Sequence, residues 1–176
     1  GSYGGNPMKR LLILLVVLLV PVGLFAQIQV GGTALYNYPI VDTGVPDELD
    51  LSNFTFGADA RLKIAFLQVS GLALFTPGEV EGATIDIFLD GGLSFDVMLF
   101  RLGLGLGPNL RYTMGAGASP LGVGLNVKAT ADVMLGSFGV GLTYLNSFEL
   151  DFAEASQLID ADYSKGLLGI SVLFEL

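Results

Sequence analysis

The chain of 176 residues contains neither cysteine nor histidine. Without cysteine there is no disulfide framework, and the redox compartment cannot be inferred from thiols. Without histidine, Ser-His-Asp catalysis, histidine general bases and the commonest zinc sites are excluded. We therefore expect no enzyme activity, no metal site and no cofactor.

Charged residues and long apolar runs are also scarce. Only 14% of the residues are charged, which is low for a water-exposed surface, and the mean hydropathy is +0.66. Beyond the N-terminal segment the chain has no run of about 18 apolar residues, so no transmembrane helix is predicted there. Tryptophan is absent, whereas glycine occurs 25 times. High apolarity without a helical span is typical of a membrane barrel, because each of its strands is only half apolar.

The N-terminal segment has the pattern of a cleavable secretory signal peptide over residues 8–26. Met8-Lys9-Arg10 is positively charged, Leu11 to Val20 is an apolar run, and Ala26 precedes the predicted cleavage site. The alternative is an uncleaved anchor helix, although the run is shorter than the ~20 residues that a span needs. We interpret residues 1–7 as an upstream extension or a remnant of cloning, and residues 27–176 as one barrel domain.

The mature chain is dominated by alternation of apolar and polar residues. Between Leu121 and Leu135 every odd position is apolar, and the even positions are small, polar or charged with the exception of Met134. Successive side chains of a strand point to opposite faces, so this segment is predicted to be a strand with one apolar face. The pattern recurs about eight times, which predicts an all-β, eight-stranded, up-and-down antiparallel transmembrane barrel.

The connections between the predicted strands differ in length. Those after odd-numbered strands are long and polar, and those after even-numbered strands have two or three residues, as in barrels with periplasmic turns and external loops. Because the alternation keeps its phase across Asp90-Gly91-Gly92, we expect a bulge or a close contact there rather than a hairpin turn. The predicted strands are Gln27–Tyr38, Phe54–Phe66, Val69–Thr76, Ala83–Leu99, Leu102–Thr113, Leu121–Leu135, Phe138–Phe152 and Tyr163–Leu176.

The polar faces are predicted to line the lumen, since an Arg or Lys facing lipid at mid-depth costs ~2–4 kcal/mol. A secreted soluble barrel of lipocalin type would need the opposite assignment. Aromatic residues fall near both ends of the strands, which indicates two interfacial girdles; ordinary strand-rich aromatic usage is the alternative. The two groups are Tyr36, Tyr38, Phe54, Phe56, Phe75, Tyr112 and Phe148 at the long-loop end, and Phe66, Phe100, Phe138 and Phe174 at the short-turn end.

The polar faces carry six acidic and six basic side chains, Arg101 and Glu175 among them. We interpret these charges as a salt-bridge network that fills a narrow lumen; a functional role is the alternative. The candidate network is Asp59, Arg61, Lys63, Asp86, Asp90, Asp96, Arg111, Lys128, Asp132 and Lys165.

Seven inward-facing glycines lie on three consecutive strands: Gly103, Gly105, Gly107, Gly122, Gly124, Gly139 and Gly141. One interpretation is that they make room for long side chains from the opposite wall, such as Arg61, Lys63 and Phe88. The other is that they leave a small hollow on one side of the lumen.

The long connections are acidic and contain no Lys or Arg. We interpret them as solvated loops; binding of divalent cations or of an extracellular ligand is the alternative. The cluster Asp47-Glu48-Leu49-Asp50 in the first loop lacks the spacing and the glycine of a calcium-binding loop. The acidic residues are Asp42, Asp47, Glu48, Asp50, Glu79, Glu81, Glu154, Asp160 and Asp162.

The signal-like segment from Met8 to Gln27, the hairpin rhythm from Gln27 to Leu176 and the alternating end Gly169–Leu176 resemble the small eight-stranded bacterial outer-membrane barrels of the OmpA/OmpX/OmpW-like group. This resemblance implies an outer-membrane location, contact with lipid and lipopolysaccharide or an equivalent, and recognition of Gly169–Leu176 by the barrel assembly machinery. In that group the last strand usually ends in an aromatic residue, whereas here Phe174 is third from the end and Leu176 takes that place.

These observations favour a non-enzymatic, porin-like barrel of the cell envelope that acts in surface interaction or envelope integrity. The alternative is a narrow conduit or binding barrel for small solutes, as the OmpW side of the resemblance implies. No nucleic-acid partner is expected. Barrel lipases, acyltransferases and proteases generally use histidine, which this chain lacks.

Overall fold

The computed structural model describes residues 26–37, 53–77, 82–115, 121–149 and 162–176, together with Met8. The alternating segments form a closed barrel in which each strand pairs antiparallel with the next and the last pairs with the first. The eight-stranded up-and-down architecture predicted from the sequence is therefore confirmed. The strands are β1 (Ala26–Tyr36), β2 (Phe54–Ile64), β3 (Leu67–Thr76), β4 (Thr84–Val97), β5 (Phe100–Thr113), β6 (Leu121–Leu135), β7 (Phe138–Glu149) and β8 (Leu167–Glu175).

Two of the three short turns lie two residues earlier than predicted. Ala65–Phe66 and Met98–Leu99 form these turns, whereas the sequence pattern had placed them near Leu67-Gln68 and Phe100-Arg101. Ala65 and Met98 have positive φ angles of 56° and 57°. That conformation usually calls for glycine, so the sequence carried no turn signal at either position. The third turn, at residues 136–137, lies where it was predicted, and Gly136 has a φ of 70°.

The prediction that β8 begins at Tyr163 was wrong. Residues Tyr163–Lys165 form a short 3₁₀ helix, and the strand begins at Leu167. Asp162 caps this helix, since its side chain accepts a hydrogen bond from the backbone N–H of Ser164. An Asp side chain that satisfies the local backbone in this way competes with strand pairing. No helix among the described residues is long and apolar enough to cross a membrane.

The segment Asp90-Gly91-Gly92 lies inside β4 and contains no bulge. The register between β4 and β5 is the same on both sides of it, with Phe88 opposite Asn109 and Gly91 opposite Leu106. The expected close contact is present, because a Cβ atom on Gly92 would lie 1.9 Å from the carbonyl oxygen of Leu104.

Large apolar side chains are exposed on the outside of every strand, and polar side chains are buried inside. The inverted assignment that a soluble lipocalin-type barrel requires is therefore wrong. One exposed apolar side chain from each strand, in chain order, is Ile28, Leu62, Val69, Leu89, Leu104, Val123, Leu142 and Val172. The buried polar side chains of the interior include Gln29, Thr33, Asp59, Arg61, Asp90, Asn126, Lys128, Asp132, Thr143 and Ser171.

Exposed aromatic side chains form a band at each end of the barrel. Phe56, Phe75 and Tyr112 lie toward the long connections, and Phe66, Phe100, Phe138 and Phe174 lie toward the short turns. At the long-connection end the ring of Phe54 packs against those of Tyr36 and Phe56, with centroid distances of 5.5 and 6.3 Å.

Candidate functional site

The middle of the lumen is spanned by Arg61. Its Nε and Nη2 atoms donate hydrogen bonds to Asp59 Oδ2 at 2.9 and 2.8 Å, and its Nη1 atom donates to Asp132 Oδ2 at 2.6 Å. Asp59 is a neighbour on β2, whereas Asp132 lies on β6, four strands away in a ring of eight. The guanidinium group therefore bridges opposite walls. All three side chains are almost fully buried.

Lys128 makes a second bridge across the lumen, from β6 to β2. Its Nζ atom lies 3.0 Å from Asp59 Oδ1 and 3.2 Å from Ser70 Oγ, and 3.9 Å from a carboxylate oxygen of Asp90. Asn126 also donates a hydrogen bond to Asp90. We call Asp59, Arg61, Asp90, Lys128 and Asp132 the central network. Each of its two cations contacts two carboxylates, which is the pairing that buried charges require.

A further cluster of charges closes the mouth at the short-turn end. Arg101 donates hydrogen bonds to Asp96 at 2.6 Å, to Glu175 at 2.8 Å and to Gln27 Oε1 at 2.9 Å. Lys63 also donates to Asp96, whose side chain is partly exposed at this mouth. Because Gln27 and Glu175 lie on β1 and β8, the cluster ties the closing seam of the barrel to β4 and β5.

An apolar layer lies between the central network and the long-connection end, a feature that sequence reasoning missed. Its buried members are Leu35, Leu72, Leu74, Phe88 and Leu145, and Leu167 packs against them. They occupy inward positions of their strands and so interrupt the polar face of the alternation. That interruption was visible in the sequence, and it recurs toward the long-connection end of β1, β3, β4 and β7.

Arg111, Asp86 and Lys165 lie at the long-connection mouth. Arg111 Nε donates to Asp86 Oδ1 at 2.7 Å, and the Arg111 side chain is 52% exposed. Lys165 does not project from β8 into the lumen as predicted. It lies in the 3₁₀ helix at the mouth, 69% exposed and 3.8 Å from Asp162, because β8 begins only after that helix.

The inward glycines make room chiefly for atoms of adjacent strands. A Cβ atom on Gly141 would lie 2.1 Å from Asp132 Oδ1, one on Gly124 2.5 Å from Asn109 Oδ1, and one on Gly103 2.6 Å from Thr130 Oγ1. A Cβ atom on Gly107 would lie 1.7 Å from the carbonyl oxygen of Leu89, and one on Gly139 would lie 2.8 Å from Met134 Sδ. The nearest atoms thus do not belong to Arg61, Lys63 or Phe88, the side chains that one of the two interpretations placed in this space.

Two cavities of different size are lined by the described residues. The smaller, of about 10 Å³, lies beside Gly103 and Gly105 and is also lined by Ser70, Asp90 and Lys128; it has room for about one water molecule. The larger, of about 330 Å³, lies at the long-connection mouth above the apolar layer. Beside these glycines the free space thus has room for about one water molecule, and the larger cavity lies elsewhere in the lumen.

The acidic loop residues fall outside the described residues, with the exception of Asp162. The Ser164 hydroxyl and backbone N–H donate hydrogen bonds to Asp162 Oδ1 at 2.5 and 3.1 Å, and these bonds lower the pKa of that carboxyl group. Within the described strands and turns, no three or more acidic side chains are grouped so that they could hold a metal ion.

No protein-family model matches the chain, and no curated protein matches it. Among solved structures, the barrel is similar to the crystal structure of Neisserial surface protein A (NspA). The identity is 13%, the TM-score is 0.52, and the match covers 86% of this chain and 97% of NspA. A second match is Ail, the attachment invasion locus protein of Yersinia pestis, with 15% identity, a TM-score of 0.44 and coverage of 86% and 97%. The likeness to NspA is one of fold.

Proposed function

We propose that this protein is an integral barrel of the bacterial outer membrane that forms no open channel. Its role is to present a surface at the long-connection end or to support the integrity of the envelope. One observation carries this proposal: exposed apolar side chains surround a buried, charge-paired interior on all eight strands. A soluble protein has the reverse arrangement.

The exterior suits a bilayer in both chemistry and dimensions. The strands have 9 to 15 residues, and a strand tilted by ~45° needs about 9–11 residues to cross the hydrocarbon core. Closure of the sheet pairs the backbone of every strand on both sides, as a lipid environment demands. The two aromatic bands lie where the interfaces of such a bilayer would be.

The lumen supports a structural or surface role over conduction. A solute that entered at the short-turn mouth would meet the Arg101 cluster, then the central network, then the apolar layer. Passage would require that paired buried charges separate, which is strongly unfavourable. In planar bilayers we expect no single-channel conductance. The alternative, a narrow conduit, predicts conductance that falls when Arg61 or Arg111 is neutralised.

Export, assembly and external contacts are further parts of this proposal. Residues 8–26 would direct export and be removed, and Gly169–Leu176 would be read by the barrel assembly machinery. Lipid and lipopolysaccharide, or an equivalent, would surround the barrel. An extracellular ligand at the acidic loops is an additional candidate partner. The alternation of Ile170, Val172 and Phe174 toward the outside with Ser171 and Leu173 toward the inside supports the role of β8 as the closing strand.

The first test is to refold residues 27–176 in detergent and to compare gel mobility with and without boiling, alongside fractionation of cells that express the whole chain. A closed barrel should migrate faster unboiled and lose that mobility on heating, and the cellular protein should be recovered with outer membranes. A monomer that is β-rich and soluble in plain buffer would overturn the membrane proposal.

A further inference from the structure

The cavity at the long-connection mouth has the size of a small-molecule site. Its volume of about 330 Å³ lies at the lower end of the range of ligand pockets, roughly 300–1,000 Å³. It ends at the apolar layer, so it is a cup with a closed floor rather than a section of a channel. Six strands, β2 to β5, β7 and β8, contribute to its lining, together with Asn37 just after β1 and Lys165 in the 3₁₀ helix before β8.

The floor and the lip of this cup differ in chemistry. Leu74, Phe88, Leu145 and Leu167 supply apolar surface at the bottom. Asn37, Thr55 and Thr76 form a hydrogen-bonded polar group on the wall, in which Thr55 Oγ1 lies 2.5 Å from Asn37 Oδ1 and 2.7 Å from Thr76 Oγ1. A ligand that fits both levels has an apolar body and a polar head.

The charges of the lining favour an anionic head. The lining contains two cations, Arg111 and Lys165, and one carboxylate, Asp86, although the whole chain has a net charge of −9. Asp86 is buried and hydrogen-bonded to Arg111, while the side chains of Arg111 and Lys165 are 52% and 69% exposed. Lys165 also lies 3.8 Å from Asp162, which is 54% exposed and is not part of the lining. Among the lining residues themselves, the exposed charges are positive.

We propose that the mouth cavity binds a small amphipathic anion, with its apolar body on Leu74, Phe88 and Leu145 and its carboxylate or phosphate at Arg111 and Lys165. Arg is well suited to a carboxylate or phosphate because its planar guanidinium can offer two parallel donors. The binding proposal rests on the proposed function only in that the barrel is assayed in a bilayer. A barrel that folds in that bilayer but does not bind octanoate would contradict the binding proposal alone.

The test is calorimetric titration of octanoate into the protein as it is purified from membranes and placed in nanodiscs of zwitterionic lipid. Empty nanodiscs measure partition into lipid. Octanol has the same alkyl chain length without the negative charge, and acetate has the carboxylate without the long alkyl chain. We expect saturable binding of one octanoate per barrel, with binding of octanol and acetate weaker by roughly tenfold or more, the ratio that about 1.4 kcal/mol corresponds to.

The variants Arg111→Gln and Lys165→Gln, singly and together, should weaken octanoate binding and leave octanol binding unchanged. Lys63→Gln removes the same charge at the opposite mouth and is the matched control. The gel-mobility assay establishes that each variant is folded. The proposal would be overturned if octanoate gave the same heats with the protein as with empty nanodiscs, or if octanol and octanoate bound with equal affinity. It would also be overturned if Lys63→Gln weakened octanoate binding as much as the double variant of Arg111 and Lys165 does.

Discussion

Arg61 and Asp132 are 71 residues apart in the chain, and their side chains meet at 2.6 Å across the full width of the barrel. The pair joins β2 to β6, and Lys128 and Asp59 join the same two strands at 3.0 Å. Two salt bridges, one with its cation on β2 and the other with its cation on β6, thus connect opposite walls. The lumen is consequently held together by contacts that no single hairpin contains.

Loss of the Arg61 guanidinium should destabilise the barrel strongly. Arg61→Met leaves Asp59 and Asp132 buried with fewer partners, and breaking a buried pair in this way costs about 3–5 kcal/mol. The free energy of unfolding is measured by urea titration in lipid vesicles. Lys165→Met is the control, because Lys165 and its partner Asp162 are 69% and 54% exposed and a solvent-exposed ion pair contributes about 0–1 kcal/mol. Equal losses in the two variants would contradict the bridging role.

A second change should partly restore the Arg61 variant. In Arg61→Met with Asp132→Asn, one uncompensated carboxylate is replaced by a neutral amide of similar shape. We expect the double variant to be more stable than Arg61→Met alone, measured by the same urea titration. Additive losses would mean that the two side chains act independently.

Gly141 should not tolerate a methyl group, whereas Gly122 should. On Gly141 a Cβ atom would lie 2.1 Å from Asp132 Oδ1 and 2.6 Å from the backbone oxygen of Ala131, but on Gly122 the nearest atom is Arg111 Cβ at 3.7 Å. Gly141→Ala is expected to cost about 1–3 kcal/mol by overpacking. Gly122→Ala should stay within about 0.5 kcal/mol of the parent. A Gly141→Ala barrel of unchanged stability would show that Asp132 can move without loss.

The depth of the outward-facing side chains can be tested with one substitution at two positions. Leu89 lies near the middle of β4 and Leu121 begins β6, and both are exposed. In lipid vesicles Leu89→Arg should cost ~2–4 kcal/mol, and Leu121→Arg only ~0–1 kcal/mol. The free energy of unfolding is again the measurement. Equal costs at the two positions would argue against the proposed position of the bilayer.

Glycine at position 65 or 98 should stabilise the barrel. Ala65 and Met98 have positive φ angles, a conformation that costs a residue with a Cβ atom about 1–2 kcal/mol. Ala65→Gly and Met98→Gly are expected to raise the temperature at which unboiled gel mobility is lost, and Gly136→Ala is expected to lower it. Ala73→Gly, inside β3, is the control and should also lower it, because glycine weakens a strand interior. If Ala65→Gly lost its unboiled gel mobility at a lower temperature than the parent protein, the positive φ angle of Ala65 would not be a source of strain.

The strands and their faces could be predicted from the sequence because they depend on a local repeat. Alternation with a period of two determines which side chains of β6 point inward, and both bounds of that strand were predicted correctly. The same rule placed Asp59, Arg61, Lys128 and Asp132 on inward faces, where the structure buries them. The turn at Gly136 was predicted because glycine marks it, whereas the turn at Ala65 carries no such residue.

The partners of those side chains required the tertiary structure. Arg61 meets Asp132 only because a ring of eight strands places β2 opposite β6, and closure by β1 and β8 is not a local property of the chain. The apolar layer has the same origin. Leu35 and Phe88 each interrupt the polar face of their strand at one position, and Leu72 and Leu74 do so at two successive inward positions of β3; the registers of the closed sheet bring these side chains together in one cluster. Within the strands, the sequence by itself therefore determined which residues face the lumen, whereas Lys165, just outside β8, was assigned to the lumen wrongly. Strand number and register decided which of these side chains touch, because they fix the position of each side chain around the barrel and along its axis.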